Sequence, residues 1–198
     1  LTIASLTSFS LAQSPAALPS ELVARIDARA AEELTKSGVP GFSLAIGHNG
    51  TVVYEQGFGF ADLENKVPAT SRTRFRTASI AKPITAVAVL RLAERGKLDL
   101  DVAVRTLCPE WPETHAPITC RQLLAHLGGV RHYQKPGEAE GTKRYLSLVD
   151  SLAIFKDDPL LSTPGSAHHY STFGYTLLGL CAERAAGRAE VVARGAEL

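Results

Sequence analysis

Ser79 and Lys82 are the residues of this sequence whose types and spacing best suit covalent chemistry. Three positions apart, they share one face of a helix, which brings hydroxyl and amine within hydrogen-bonding reach. Lys82 is the only charged residue among the 13 from Ala78 to Leu90. An ammonium in so apolar a helix is costly unless it is paired or gives up its proton. Desolvation would favour the neutral amine, able to take the Ser79 proton and leave a nucleophilic oxygen. Ser79 would also lie in the first helical turn, where the positive helix end favours a developing oxyanion. Pro83 is compatible with so early a position. The same four residues also fit a capping serine followed by a snorkelling lysine. Elsewhere, His48, His115, His126, His132, His168 and His169 come with no H-E-x-x-H motif or carboxylate cluster, so they read as solvated, and no metal or cofactor is assigned. Glu138, Glu140, Asp157 and Asp158 read as solvating loop charges, and Arg184 and Arg188 as partners of a helix dipole.

Several elements must hold these residues in place. Ser20 can cap a helix whose apolar positions Leu22, Val23, Ile26, Ala30 and Leu34 recur at helical spacing and which ends near Gly38 and Pro40. Phe42, Leu44 and Ile46 alternate, Asn49-Gly50 supplies a type I′ turn, and Val52 to Phe58 runs extended, so a β-hairpin follows. Ala61 to Thr73 reads as a loop. Helical patterns then cover Ser79 to Glu94, Thr119 to Leu127, Tyr145 to Phe155 and Phe173 to Ala186. A connector at 108 to 117 joins the first two of these, Gly128-Gly129 stops the second, and Pro164-Gly165 marks a turn before the last. The first is apolar on most sides and is expected to be buried.

With 198 residues and 45% apolar content, the chain can build a sizeable core. Twenty-one Lys and Arg balance 20 Asp and Glu, with no basic block, which excludes nucleic acid as an expected partner. Three cysteines, Cys108, Cys120 and Cys181, match no metal or redox spacing, and a Cys108–Cys120 bridge is conceivable. Residues 1 to 20 carry no charge. Ile3 to Leu11 followed by Ser10-Leu11-Ala12 resembles the back half of a secretory signal peptide, against the alternatives of a disordered arm or an organelle-targeting remnant. The run is too short for a stable membrane span. A secreted or periplasmic protein is expected.

The stretch Phe75-Arg76-Thr77-Ala78-Ser79-Ile80-Ala81-Lys82-Pro83-Ile84-Thr85-Ala86 resembles the first active-site motif of serine β-lactamase-related proteins, the group of class C β-lactamases, D-alanyl-D-alanine carboxypeptidases and esterases. Gly57 to Asp62 is similar to that group's strand-to-loop segment, and Gly96 to Asp101 to the end of its nucleophile helix. Ile118 to Val130 is similar to its L-L-x-H-x-S-G turn. Pro164-Gly165 followed by Tyr170-Ser171-Thr172 matches its second motif, Y-x-N, with Thr172 in place of Asn. Five motifs in the family's order, over about residues 22 to 187, carry more weight than any one of them.

The resemblance implies an α/β fold of the β-lactamase/transpeptidase type, a sheet with a helical domain. It also implies a serine hydrolase that forms an acyl-enzyme on Ser79, with Lys82 and Tyr170 shuttling its proton and Thr172 binding substrate. Small-molecule or peptide substrates are implied: β-lactam, D-Ala peptide, peptide or ester. A non-catalytic penicillin-recognition or assembly module is the alternative. The group's third motif, K-T-G or H-x-G, is not found after Tyr170, and the sequence has no Met, so the expectation is an N-terminal fragment of a longer protein, inactive or in need of completion. Its parts are a leader or arm at 1–20, a partial catalytic domain at 21–187 lacking the later sheet strands, and a polar tail at 188–198.

Overall fold

Apolar residues at helical spacing from Leu22 to Leu34 form α1, Ser20–Ser37, in the computed structural model, which describes residues 18–139, 141 and 143–187. The expected leader, the polar tail, Glu140 and Arg188 lie outside the described residues, apart from 18–20 at the leader's end. Pro19 occupies the cap position and Ser20 is the first helical residue, so Ser20 is not the cap its type suggested. Gly38 closes α1 in a left-handed conformation, its N–H donating to the Leu34 carbonyl at 3.2 Å.

Strands β1, Gly41–His48, and β2, Thr51–Asp62, pair antiparallel across Asn49 and Gly50, both at positive φ as a type I′ turn requires. Phe42 and Phe58 face each other in register and stack with centroids 5.2 Å apart. Part of the expected loop is a short edge strand, β3, Val67–Pro68, giving the order β1-β2-β3. Gly57 permits this crossing, because a Cβ there would sit 2.3 Å from the Ala69 carbonyl oxygen. Tyr54 on β2 donates to Asp27 of α1 at 2.5 Å. Burial and that carboxylate push the Tyr54 phenol up to about 12. These elements form a first compact unit ending at Arg76.

The second unit, from Thr77, is helical and centres on α6, Thr172–Ala186. Ser171 caps α6 by accepting the Gly174 N–H at 2.8 Å, and Gly187 ends it in a left-handed conformation. Leu177, Leu178 and Cys181 of α6 are fully buried. Four helices pack on α6: α2, Ala81–Glu94; α3, Val104–Leu107; α4, Cys120–Leu124; and α5, Leu148–Leu152. Phe155 stacks on Phe173 at 4.6 Å and 9°.

Two helices are shorter than their patterns suggest, each for a local reason. Capping boxes start α4 at Thr119 with Gln122, and α5 at Ser147 with Asp150 rather than at Tyr145. His126, at φ 58°, ends the α4 segment before the glycine pair is reached.

Helix α2 departs from expectation in its surroundings. Only Val89 is buried, while Ile80, just before the helix, is 71% exposed and Ile84, Val87 and Leu90 are also open to solvent. The cysteines also differ from the reading. All three are free and buried, so no Cys108–Cys120 bridge is formed, and Cys108 Sγ lies 3.5 Å from Cys181 Sγ. Among the described residues no helix is long and apolar enough to cross a membrane.

Candidate active site

Ser79 sits in a single 3₁₀ turn, Ala78–Ile80, that leads directly into α2. The residue before it, Ala78, has φ 45°, a conformation that side chains with a Cβ rarely adopt. Backbone strain of this kind clusters at functional sites, and Ser79 beside it is exposed. Lys82 lies one turn further on and its Nζ donates to Ser79 Oγ at 3.3 Å. It also donates to Thr172 Oγ1 at 3.1 Å.

Tyr170 comes from the other side of the site, one residue ahead of the α6 cap. Its Oη lies 2.6 Å from Ser79 Oγ, the shortest contact the serine makes. Lys82 Nζ stands over the Tyr170 ring at 4.8 Å from the centroid and 5.8 Å from that of Tyr175. The adjoining Lys82 ammonium first, and the Ser79 hydroxyl second, hold the Tyr170 phenol below its ordinary value. Tyr175, more buried and facing Tyr170, is pushed up, and its hydroxyl donates to the Leu124 carbonyl at 3.0 Å.

Ser79, Lys82, Tyr170 and Thr172 therefore converge, as their motifs suggested. Lys82 differs from expectation in being half-buried, so the cost of a wholly buried ammonium does not arise. Its amine is shared by two hydroxyl acceptors, whereas Tyr170 makes the closer approach to Ser79.

Several neighbours were not legible as site residues. His126 and His132 are not freely solvated: their rings lie 4.6 Å and 5.3 Å from that of Tyr170. Burial first, then nearby positive charge that includes Lys82, keeps both imidazoles below their ordinary value. Glu138 and Asp158, expected to be solvating charges, instead hold Arg131, whose side chain is 3% exposed. Glu138 takes the guanidinium fork at 2.9 Å on both oxygens, Asp158 bonds Nε at 2.6 Å, and the carbonyls of His132 and Ile154 accept the remaining hydrogens. The Arg131 carbonyl in turn accepts Ser171 Oγ at 2.7 Å, which ties this buried node to the α6 cap beside Tyr170. Arg184 is also more than a dipole partner, since it bonds Glu110 at 2.5 Å.

The family model described as Beta-lactamase matches residues 26–194. The chain belongs to the beta-lactamase family. As a beta-lactamase family member it is similar to the human serine beta-lactamase-like protein LACTB, mitochondrial, at 32% identity over 218 aligned positions, covering 76% of this chain and 40% of the relative. Among solved structures it is similar to the octameric penicillin-binding protein homologue from Pyrococcus abyssi, at 30% identity and a TM-score of 0.70 over 84% of this chain and 40% of that one. It is also similar to EstCE1, a hydrolase with promiscuous acyltransferase activity, at 29% identity and a TM-score of 0.69 over 85% and 48% of the two chains. The fold is of the β-lactamase/transpeptidase type, and the chain spans less than half the length of these relatives.

Proposed function

We propose that the chain is a serine hydrolase that transfers acyl groups from amides or esters to water through an acyl-enzyme on Ser79. The observation that carries this reading is the 2.6 Å approach of Tyr170 Oη to Ser79 Oγ, with Lys82 Nζ bonded to the same oxygen at 3.3 Å. In this mechanism the Tyr170 phenolate takes the hydroxyl proton as Ser79 Oγ attacks the acyl carbon. Lys82 supports the phenolate and the alkoxide electrostatically, a role that suits its position between them. When the C–N or C–O bond breaks, Tyr170 returns the proton to the leaving group. Water then adds to the ester, giving up a proton to Tyr170, and the acid departs with Ser79 regenerated. Thr172 binds on the acyl side, where its hydroxyl offers its single O–H donor while its oxygen accepts from Lys82. The family resemblance supports ester and amide substrates alike, and EstCE1, a hydrolase with promiscuous acyltransferase activity, supports acyl transfer. The uncharged leader-like run supports export to the periplasm or medium, while the mitochondrial relative supports an organelle as the other destination.

The test is a pre-steady-state burst with a p-nitrophenyl ester. Release of about one equivalent of p-nitrophenolate per chain, followed by slower turnover, is the expected result. One equivalent with no turnover would make the protein an acyl acceptor of the penicillin-recognition kind. No burst on a folded chain would contradict the reading.

A further inference from the structure

The segment that carries Tyr170 is held from outside by two imidazoles, and the pattern of bonds is specific. His126 accepts the His169 N–H on its backbone carbonyl at 2.9 Å and the Ser171 N–H on its Nδ1 at 3.1 Å, so it brackets Tyr170 on both sides. His132 Nδ1 accepts the next amide, that of Thr172, at 3.3 Å. Three N–H groups around the tyrosine and the threonine, those of residues 169, 171 and 172, thus end on two histidines 40 to 45 residues away in sequence. His126 makes both bonds from a left-handed backbone, φ 58°, which is uncommon for residues other than glycine.

An imidazole accepts at Nδ1 only when that nitrogen carries no proton. Protonation would set an N–H against the N–H of Ser171 or Thr172 and turn an attraction into a repulsion. We infer that His126 and His132 are positioning residues for the acyl-transfer site, a neutral two-histidine clamp on the Tyr170 segment that opens on protonation. The inference rests on the proposed acyl-transfer reading for its kinetic consequence, though not for the clamp itself.

The groups that face His126 are His168, Lys82, His132, Tyr170 and Tyr175, and those that face His132 are Lys82, His126, Tyr133 and Tyr170. No carboxylate is among them. Burial first, then nearby positive charge that includes Lys82, holds both rings below the ordinary imidazole value, in keeping with the unprotonated Nδ1 that each amide bond requires. The sign follows from that depression. The clamp is intact above an imidazole's usual value of about 6.5 and is lost as pH falls through the lower values of the folded protein.

The experiment compares His126→Asn and His132→Asn, singly and together, with His126→Gln and His132→Leu. Asparagine places a non-titrating oxygen close to where Nδ1 lies and tolerates the left-handed backbone at 126. Gln at 126 keeps a polar side chain but carries its amide one bond too far, and Leu at 132 keeps bulk without an acceptor. Folding is followed by circular dichroism and by the fluorescence of Trp111. In ¹⁵N-labelled wild-type protein the Ser171 and Thr172 amide resonances are expected to move together between pH 7.5 and 5, and to stay still in the double Asn variant.

The rate of fluorophosphonate labelling is the second readout. In wild type the slope of log rate against pH steepens from about one towards two or more in the acid range, because clamp protonation adds to protonation of Tyr170. In the double Asn variant the slope stays near one, and the rate at pH 7.5 lies within about threefold of wild type. The Gln and Leu variants are expected to lose roughly 10²-fold, as misplacement of a catalytic group does. Amides that do not titrate in wild type, or that titrate equally in the Asn variants, would overturn the clamp. Asn variants no faster than Gln and Leu would overturn its positioning role. A wild type that titrates at both amides yet labels nowhere would instead sink the acyl-transfer reading and leave the clamp standing.

Discussion

Replacing Tyr170 with Phe is expected to slow acylation of Ser79 by about 10²- to 10⁴-fold, the range that loss of a positioned general base produces. The ring packs against His126 and His132 and lies beneath Lys82, and Phe keeps those contacts while deleting the one oxygen within 2.6 Å of the serine. The pH profile separates this effect from a loss of packing. The Tyr170 phenol titrates below its usual value of about 10, so the phenolate fraction grows as pH rises and saturates above the folded value. Wild-type acylation therefore climbs through the neutral and mildly alkaline range and levels off. Tyr170→Phe is expected to show a low rate without that rise. A Phe variant that retained the alkaline limb would transfer the role of base to Lys82.

The largest expected effect on stability falls on Arg131. Its guanidinium is buried between Glu138 and Asp158, stacks 4.9 Å from the Phe173 centroid, and bonds two backbone carbonyls. Removing it by Arg131→Met leaves two carboxylates facing each other, with the exposed Lys135, 4.0 Å from Asp158, as their remaining cation among the described residues; breaking a buried pair in this way costs about 3–5 kcal/mol. Urea denaturation followed at Trp111 measures this loss directly. Should that variant fail to fold, Glu138→Gln tests the same node through pH. Hydrogen bonding to Arg131 holds the Glu138 carboxyl down at about 2. Its stabilisation is thus fully present above about 4.5 and is lost as pH falls towards 2. Wild-type stability is expected to slope downward across that window, and Glu138→Gln to be less stable at neutral pH and flatter below 4.5. Equal slopes in the two proteins would remove Glu138 from the account.

What could be read along the chain was mostly local. α1, the Asn49-Gly50 hairpin and α6 follow from periodicity and from turn and capping residues a few positions apart. The S-x-x-K pair was legible for the same reason, since one helical turn sets its geometry. Tyr170 and Thr172 became legible only through the order of the family's motifs, because 91 residues separate Tyr170 from the serine it touches. Arg131 and His132 left no comparable trace, and His126, although it is the His of the L-L-x-H segment, was given no role there. Arg131 bonds Asp158 27 residues on, and the amides that His126 and His132 hold through Nδ1 lie 45 and 40 residues away, while an Arg or His in a loop has the same letter whether solvated or buried. The capping boxes at Thr119 and Ser147 were present in the sequence as T-x-x-Q and S-x-x-D, and would have set the starts of α4 and α5 correctly. The apolar run of α2 was read correctly as a helix but wrongly as a buried one. Hydrophobicity says which surface gains from being covered, not whether this stretch of chain covers it.

Intact-mass spectrometry after incubation with a fluorophosphonate tests most directly whether Ser79 is an activated nucleophile, with Ser79→Ala as the paired sample. The account predicts one adduct per wild-type chain, mapped to Ser79 and absent from Ser79→Ala while both proteins keep the same circular dichroism. A folded wild-type chain that gains no mass, or an adduct that persists in Ser79→Ala, would contradict it.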